Sequence, residues 1–195
     1  MDKFSYAIGL GIGQNLLSMG TKGIEVDDFA QAIKDILEGN KTAISHAEAR
    51  DIVNKYFAEL EEKMNAASIE QGVQFLEENK KRPNVVTLPS GLQYEVINEG
   101  KVGTYAKATD QVKCHYEGTL IDGTLFDSSI KRGQPATFGV NQVIPGWVEA
   151  LQLMPEGAKW KLYIPSDLAY GAQGAGEMIP PHLSLIHISE PTRRS

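Results

Sequence analysis

The stretch Val112-Lys-Cys-His-Tyr-Glu-Gly-Thr-Leu-Ile-Asp-Gly-Thr-Leu-Phe-Asp-Ser-Ser129 decides how the second half of this chain is read. Up to Leu120, apolar and β-branched residues alternate with polar ones, the period-two pattern of a half-buried strand. Asp122-Gly123 then supplies the positive-φ positions that a tight hairpin needs. A second short strand follows and carries Phe126 and Asp127. The hairpin thus presents Tyr116, Phe126 and Asp127 as three candidates for one pocket.

Downstream, aromatic residues recur with Gly and Pro between them: Phe138, then Val143-Ile-Pro-Gly-Trp147, Tyr163, Tyr170-Gly171 and Ile179-Pro-Pro-His182. Upstream, period two begins at Val85 and continues through Leu92, Tyr94 and Val96; Lys159-Trp-Lys-Leu-Tyr-Ile-Pro165 repeats it. Turn residues at Pro89-Ser-Gly91, Glu99-Gly100 and Pro155-Glu-Gly157 separate the strands. One short helix fits between them, Gly146 to Met154. The pattern predicts an α+β domain over residues 83–182, an antiparallel sheet wrapped around one short helix.

Residues 1–82 follow a different period. Phe4, Ile8, Ile12, Leu16 and Leu17 form one apolar stripe, and Val26, Phe29, Ile33, Ile36 and Leu37 a second, at helical spacing. Gly39-Asn40 ends the second helix. Ser45-His-Ala-Glu48 is a capping box ahead of a run to Pro83, on the order of 35 residues or 50 Å at the helical rise. Its first half is apolar on one face and its second half mostly polar, which predicts packing at one end and a solvent-spanning stretch at the other. Gly9-Leu-Gly-Ile-Gly13 lacks the preceding strand, the Lys-Ser/Thr and the acidic partner of a nucleotide loop, and reads as a site of close helix approach.

Composition narrows the function. The 195 residues are 42% hydrophobic and 23% charged, with a net charge of -6, which argues against nucleic acid or an anionic membrane as the main partner. The single cysteine, Cys114, falls in a strand and reads as a buried structural thiol. Met1-Asp2-Lys3 has neither a basic n-region nor a cleavage site, and no stretch is long and apolar enough to span a membrane, so the cytoplasm is the expected compartment. His115 and His182 are isolated, so neither a metal nor a cofactor is expected. Trp147 and Phe138 would serve as core residues in any small domain, and Tyr116 could be only packing.

Pro89-Ser-Gly-Leu-Gln-Tyr94, Phe126-Asp-Ser-Ser129, Val143-Ile-Pro-Gly-Trp147, Leu168-Ala-Tyr-Gly171 and Ile179-Pro-Pro-His182 together resemble the FK506-binding-protein family of peptidyl-prolyl cis-trans isomerases. The helical half is similar to the N-terminal dimerisation domain of its bacterial Mip-like and FKBP22-like branch. The resemblance implies an aromatic pocket in which Tyr116, Phe126, Asp127 and Tyr170 are catalytic and Phe138, Val143, Ile144, Trp147, Met178 and Ile179 bind substrate. Trp147 would be the floor, and Met178 stands where an aliphatic residue is usual. The Ile144 N–H and the Tyr170 hydroxyl would hold a carbonyl. Asp127 would orient the pocket through Tyr116 or polarise the imide. The implied partners are proline-containing unfolded or flexible polypeptides, FK506- or rapamycin-type macrolides, and a second copy of the chain packed through residues 4 to about 60. A binding protein that holds proline-containing segments without turning them over is the rival reading.

The end of the chain breaks the pattern. In the family a final strand with a pocket-lining aromatic follows Pro180-Pro-His182, and here His187 stands at the aromatic's place. Glu190-Pro191 is expected to stop any strand. Leu183-Ser-Leu-Ile-His-Ile-Ser-Glu-Pro-Thr-Arg-Arg-Ser195 resembles the translation of a transposon-type sequencing adapter. Residues 183–195 are therefore expected to be a non-native tail that leaves the sheet without its native last strand, the second half poorly folded and isomerisation weak. Leu183 to Ile188 could partly substitute, since Leu183, Leu185 and either Ile186 or Ile188 are sheet-compatible.

Overall fold

The computed structural model describes residues 1–176 and 178–194. They divide into two compact units, Met1–Phe57 and Ala58–Ser195. The first contains α1 (Lys3–Ser18), α2 (Val26–Glu38) and the opening turns of α3 (His46–Asn79). Local chemistry sets the helix ends, those at Gly39 and Ser45 where the sequence places them. The Asp2 carboxylate accepts the Ser5 N–H at 2.7 Å, Gly39 terminates α2 at φ 70°, and the Ser45 hydroxyl accepts the Glu48 N–H at 3.2 Å. Neither α1 nor α2 buries a single residue. Phe4, Leu17, Val26 and Leu37 are among the most exposed apolar side chains of the molecule. A Cβ added at Gly9, Gly11 or Gly13 would meet nothing within 4 Å.

The second unit begins with the rest of α3. Its strands are β1 (Val85–Thr87), β2 (Gln93–Asn98), β3 (Lys101–Tyr105), β4 (Gln111–Leu120), β5 (Leu125–Ser128), β6 (Ala136–Gly139), β7 (Pro155–Glu156), β8 (Lys159–Ile164) and β9 (Leu185–Arg194), with α4 (Pro145–Leu153) between β6 and β7. The main sheet runs β1-β2-β8-β9-β4-β5, with β6 also paired to β4, while β3 and β7 form a separate ribbon. Every pairing is antiparallel. Sheet residues such as Val112, Cys114, Leu162 and Ile164 pack with Trp147, Ala150 and Leu151 of α4 into one core. This is the predicted α+β architecture, helices followed by a sheet wrapped on one short helix.

Two expectations are corrected. The polar half of α3 does not span solvent to its end: residues 61–71 include no buried one, but the helix's buried residues, Gly72 and Asn79, lie in its last turns. The absent side chain at Gly72 admits Ser184, whose Oγ would lie 2.7 Å from a Cβ at that position. Asn79 donates to Gln93 Oε1 at 2.9 Å, and Phe75 packs on Tyr163 with ring centroids 6.0 Å apart. Docking by a glycine and an amide, with Phe75 beside them, offers too few apolar positions to read as a stripe.

The second correction concerns the tail. The sheet does not lack its last strand: β9 is an interior strand, paired along β4 from Leu120↔Leu185 to Gln111↔Arg194 and along β8 from Ile164↔Leu185 to Trp160↔Ser189. Glu190-Pro191 does not stop it. Beyond Ser189, β8 has ended, so Pro191 has a strand neighbour on one side only, where a missing N–H is tolerated as on an edge. The residue before a proline is itself biased toward extended backbone, which suits a strand.

Candidate functional site

The hairpin of β4 and β5 turns at Asp122-Gly123 as expected: the Asp122 carboxylate accepts the Thr124 N–H at 2.8 Å and Gly123 adopts φ 88°. The pairing Gly118↔Asp127 then sets Asp127 beside Tyr116. The Tyr116 hydroxyl donates to the Asp127 carboxylate. Arg132, from the loop after β5, forms an ion pair with Asp127, and its second guanidinium nitrogen donates to the Tyr116 oxygen at 3.0 Å. The Ser129 hydroxyl fixes Tyr116 from behind, accepting its N–H at 2.7 Å.

These contacts set the charges. Burial alone would raise the Asp127 carboxyl, but hydrogen bonds from Tyr116 and Arg132 outweigh it and hold the group below the usual carboxylate range. The Tyr116 hydroxyl is raised by burial and by its bond to Asp127. Burial and the Asp127 charge likewise raise the Tyr170 hydroxyl. Near neutral pH the site therefore holds an ionised carboxylate and two protonated phenols.

The floor comes from α4. Pro145 is the first helical residue, where its missing N–H costs nothing, and Trp147 follows within the first turn. A Cβ on Gly146 would lie 2.6 Å from the Ile164 side chain, so a larger residue would push the start of α4 off β8. Trp147 meets Tyr116 edge-on at 5.3 Å, Phe138 at 5.4 Å and the His187 ring at 5.4 Å. Phe126 lies 5.4 Å from His187 on another wall. Gly118 makes room for both, since a Cβ there would fall 2.6 Å from Phe126 and 3.0 Å from His187.

The result is a cavity of about 420 Å³. Of the residues predicted for it, Tyr116, Phe126, Asp127, Phe138, Val143, Ile144, Trp147 and Tyr170 all wall it. Met178 and Ile179 do not. Ile179 is turned into the core, its backbone paired with Ala175, and Met178 is exposed. Gln142 and His187 complete the wall, and Arg132 buttresses it. Gln142 and Arg132 carried no sequence signal, because a solvent-facing loop residue looks the same whether or not it reaches a pocket. His187 stands at the place the family resemblance gives to a pocket-lining aromatic, and alternation along β9 buries it with Leu185 and Ser189.

An aromatic box with one hydrogen-bonded carboxylate at its edge, and a helical unit ahead of it, matches known proteins over most of the chain. Residues 103–188 match the FKBP-type peptidyl-prolyl cis-trans isomerase domain, and residues 1–96 match the domain amino terminal to it. The chain is 47% identical over 189 residues to the FKBP-type 22 kDa peptidyl-prolyl cis-trans isomerase of Escherichia coli (strain K12), covering 93% of this chain and 89% of that one. This chain belongs to the FKBP-type peptidyl-prolyl cis-trans isomerases. It is 43% identical to the outer membrane protein MIP of Legionella longbeachae, over 95% of this chain and 82% of the other. The crystal structure of FkpA from Escherichia coli superimposes with a TM-score of 0.79 at 32% identity, covering 97% of this chain and 94% of that one. The FKBP-type match extends to residue 188, inside the stretch read from sequence as a non-native tail. As a member of this family the protein is an isomerase of X–Pro bonds, and its substrates are proline-containing polypeptides.

Proposed function

We propose that this isomerase works by differential solvation, with Tyr116, Phe126, Asp127 and Tyr170 acting on the bond and Phe138, Val143, Ile144 and Trp147 holding the prolyl ring. Rotation about an amide bond faces a barrier of about 18–20 kcal/mol because it breaks resonance. The twisted amide is less polar than the planar one. An aromatic cavity therefore favours the twisted form, and catalysis follows without a nucleophile. Among the described residues no partner takes the Ile144 N–H, which leaves it free to hold a substrate carbonyl. The protonated Tyr170 hydroxyl is the second donor. The observation that carries the reading is the Tyr116–Asp127–Arg132 cluster at the rim of a cavity floored by Trp147. With its charge already engaged by Arg132, Asp127 fits the orienting role through Tyr116 better than direct polarisation of the imide. In a protease-free isomerisation assay on an X–Pro tetrapeptide, Asp127→Ala should lower kcat/KM by about tenfold, equivalent to one lost hydrogen bond of ~1.4 kcal/mol. An unchanged kcat/KM would remove Asp127 from the mechanism.

The physiological reading is a homodimeric folding assistant joined through residues 4 to about 60. The bare apolar faces of α1 and α2 support it, because such faces are stable in water only when covered. Two linked pockets would raise the effective concentration of a client chain. The cavity volume is also compatible with a macrolide. The rival, a holding chaperone without needed turnover, predicts that client holding survives Asp127→Ala combined with Trp147→Leu. The proposed compartment is the cytoplasm. Since one relative is named an outer membrane protein, fractionation of the source cells is the test.

Residues 183–195 remain a proposed non-native tail. Their likeness to an adapter translation supports this, as do the polar side chains, His187 and Ser189, that they turn into the core. Resequencing the gene across the codons after His182 tests it, and an unchanged reading would make β9 native.

A further inference from the structure

The β4–β5 ladder ends at Glu117↔Ser128, and the next pair in register is Tyr116 with Ser129. One side of that pair is made by backbone: the Ser129 N–H donates to the Tyr116 carbonyl at 2.9 Å. The other side is made by a side chain, because the Tyr116 N–H donates at 2.7 Å to the Ser129 hydroxyl and not to the Ser129 carbonyl. That carbonyl has turned away and accepts the Gln134 N–H at 3.3 Å, closing a loop over residues 129–134. The loop carries Arg132, which returns to bond Asp127 and Tyr116. We propose that Ser129 is a positioning residue of the isomerase: by standing in for its own carbonyl, its hydroxyl holds Tyr116 in register and releases the chain into the loop that brings Arg132 to Asp127. The inference rests on this cavity being the isomerase site, with Tyr116 and Asp127 acting on the bond.

A serine oxygen suits the task because it accepts and donates at once. It takes the Tyr116 N–H, and its own proton can go to the Tyr116 carbonyl at 3.1 Å or to His115 Nδ1 at 3.3 Å. Ser129 is wholly buried, so water does not stand ready to replace it. Without the hydroxyl two courses are open. In one, the Tyr116 N–H stays unpaired, which costs free energy away from solvent. In the other, the Ser129 carbonyl swings back to take it, the ladder lengthens by one residue, and the loop loses its closing bond from Gln134. Both courses shift the Tyr116 hydroxyl or the Arg132 guanidinium against Asp127, and small displacements of groups that act on a reacting bond are expensive. Phe138 and Trp147, which hold the prolyl ring, come from β6 and α4. Among the described residues, no hydrogen bond of the Ser129 side chain reaches either element. The effect should therefore fall on kcat and spare KM.

The test is a protease-free isomerisation assay on an X–Pro tetrapeptide, read by NMR exchange, with Ser129→Ala and Ser129→Thr made in the full chain, each alone and combined with Asp127→Ala. Ser129→Cys, which nearly keeps the volume but offers only a weak acceptor, replaces Ser129→Ala if circular dichroism shows the latter unfolded. Ser129→Ala should lower kcat about fivefold with KM within twofold. Ser129→Thr keeps the oxygen and should stay within twofold of the unmodified chain. In the Asp127→Ala background, losing the hydroxyl should cost less than a further twofold, because the cluster it positions is already broken. A merely structural role would lower Tm and leave kcat of the folded protein unmoved, and that result overturns the proposal. So does an equal loss in both backgrounds, or an equal loss in Ser129→Ala and Ser129→Thr. If Asp127→Ala alone leaves the rate unchanged, the reading of the cluster fails first, and the role of Ser129 falls with it.

Discussion

The two units spend their apolar residues in opposite ways. From Ala58 onward, the sheet closes on α4 and takes Leu92, Leu151, Met154 and Leu162 almost wholly out of water. Up to Phe57, α1 and α2 carry comparable apolar side chains and bury none of them. Apolar area is worth about 25 cal/mol per Å² only when something covers it. One unit therefore closes its core within a single chain, whereas the other leaves the apolar faces of its helices open to water in that chain.

That contrast can be broken most sharply at Trp147. Trp147→Ala removes the floor of the cavity and the centre of the core together, and should cost about 3–5 kcal/mol. The Tm should fall and X–Pro turnover disappear, while helicity from residues 1–57 persists in circular dichroism.

Charging the open faces is the converse experiment. Phe29→Glu with Ile33→Glu should weaken self-association at least hundredfold, about 3 kcal/mol, by forcing carboxylates into the covered face. Sedimentation should then report one chain where the unmodified protein reports two, with tetrapeptide turnover within twofold. A monomer for the unmodified chain at micromolar concentration would sink the dimer.

Acid should act on the second unit first. His187 titrates near 6.5 when unfolded and is pushed down to about 4 by burial. Between those values the unfolded chain binds more protons than the folded one, so stability is whole above about 6.5 and declines as pH falls toward 4, by up to about 3 kcal/mol. His187→Phe should flatten this dependence in urea titrations. The smallest effect is expected at Arg82, which donates to Tyr163 at 2.8 Å and pairs with Glu95 at 2.8 Å where α3 meets the sheet. It is half exposed, so Arg82→Ala should cost about 1 kcal/mol or less and leave kcat/KM unchanged.

Much of the second unit was legible because its signals are local. A strand needs alternation, a hairpin needs Asp122-Gly123, and a helix start tolerates Pro145, so β4, β5 and α4 appear in the sequence before any contact is known. Tyr116, Phe126, Asp127 and Trp147 came with them. Met178 and Ile179 were misplaced because their loop has no period from which to read a direction, and the backbone bridge from Ala175 turns Ile179 inward. The docked end of α3 was missed because Gly72 packs through smallness, and Asn79 and the Leu76 carbonyl through amide hydrogen bonds to Gln93.

By itself, then, the sequence determined the helical first half, the antiparallel second half, the family, and most of the aromatic box, since each rests on residue types at short spacing. Only the tertiary structure decided the interior place of β9, the burial of His187 beneath the cavity, and the bond of Arg132 to Asp127 and Tyr116. The first two depend on register between segments far apart in the chain, and the third on a loop with no period to read. A shift of one residue would turn Ile186 and Ile188 inward and His187 outward, and nothing in the local pattern of Leu183–Ser189 chooses between the two.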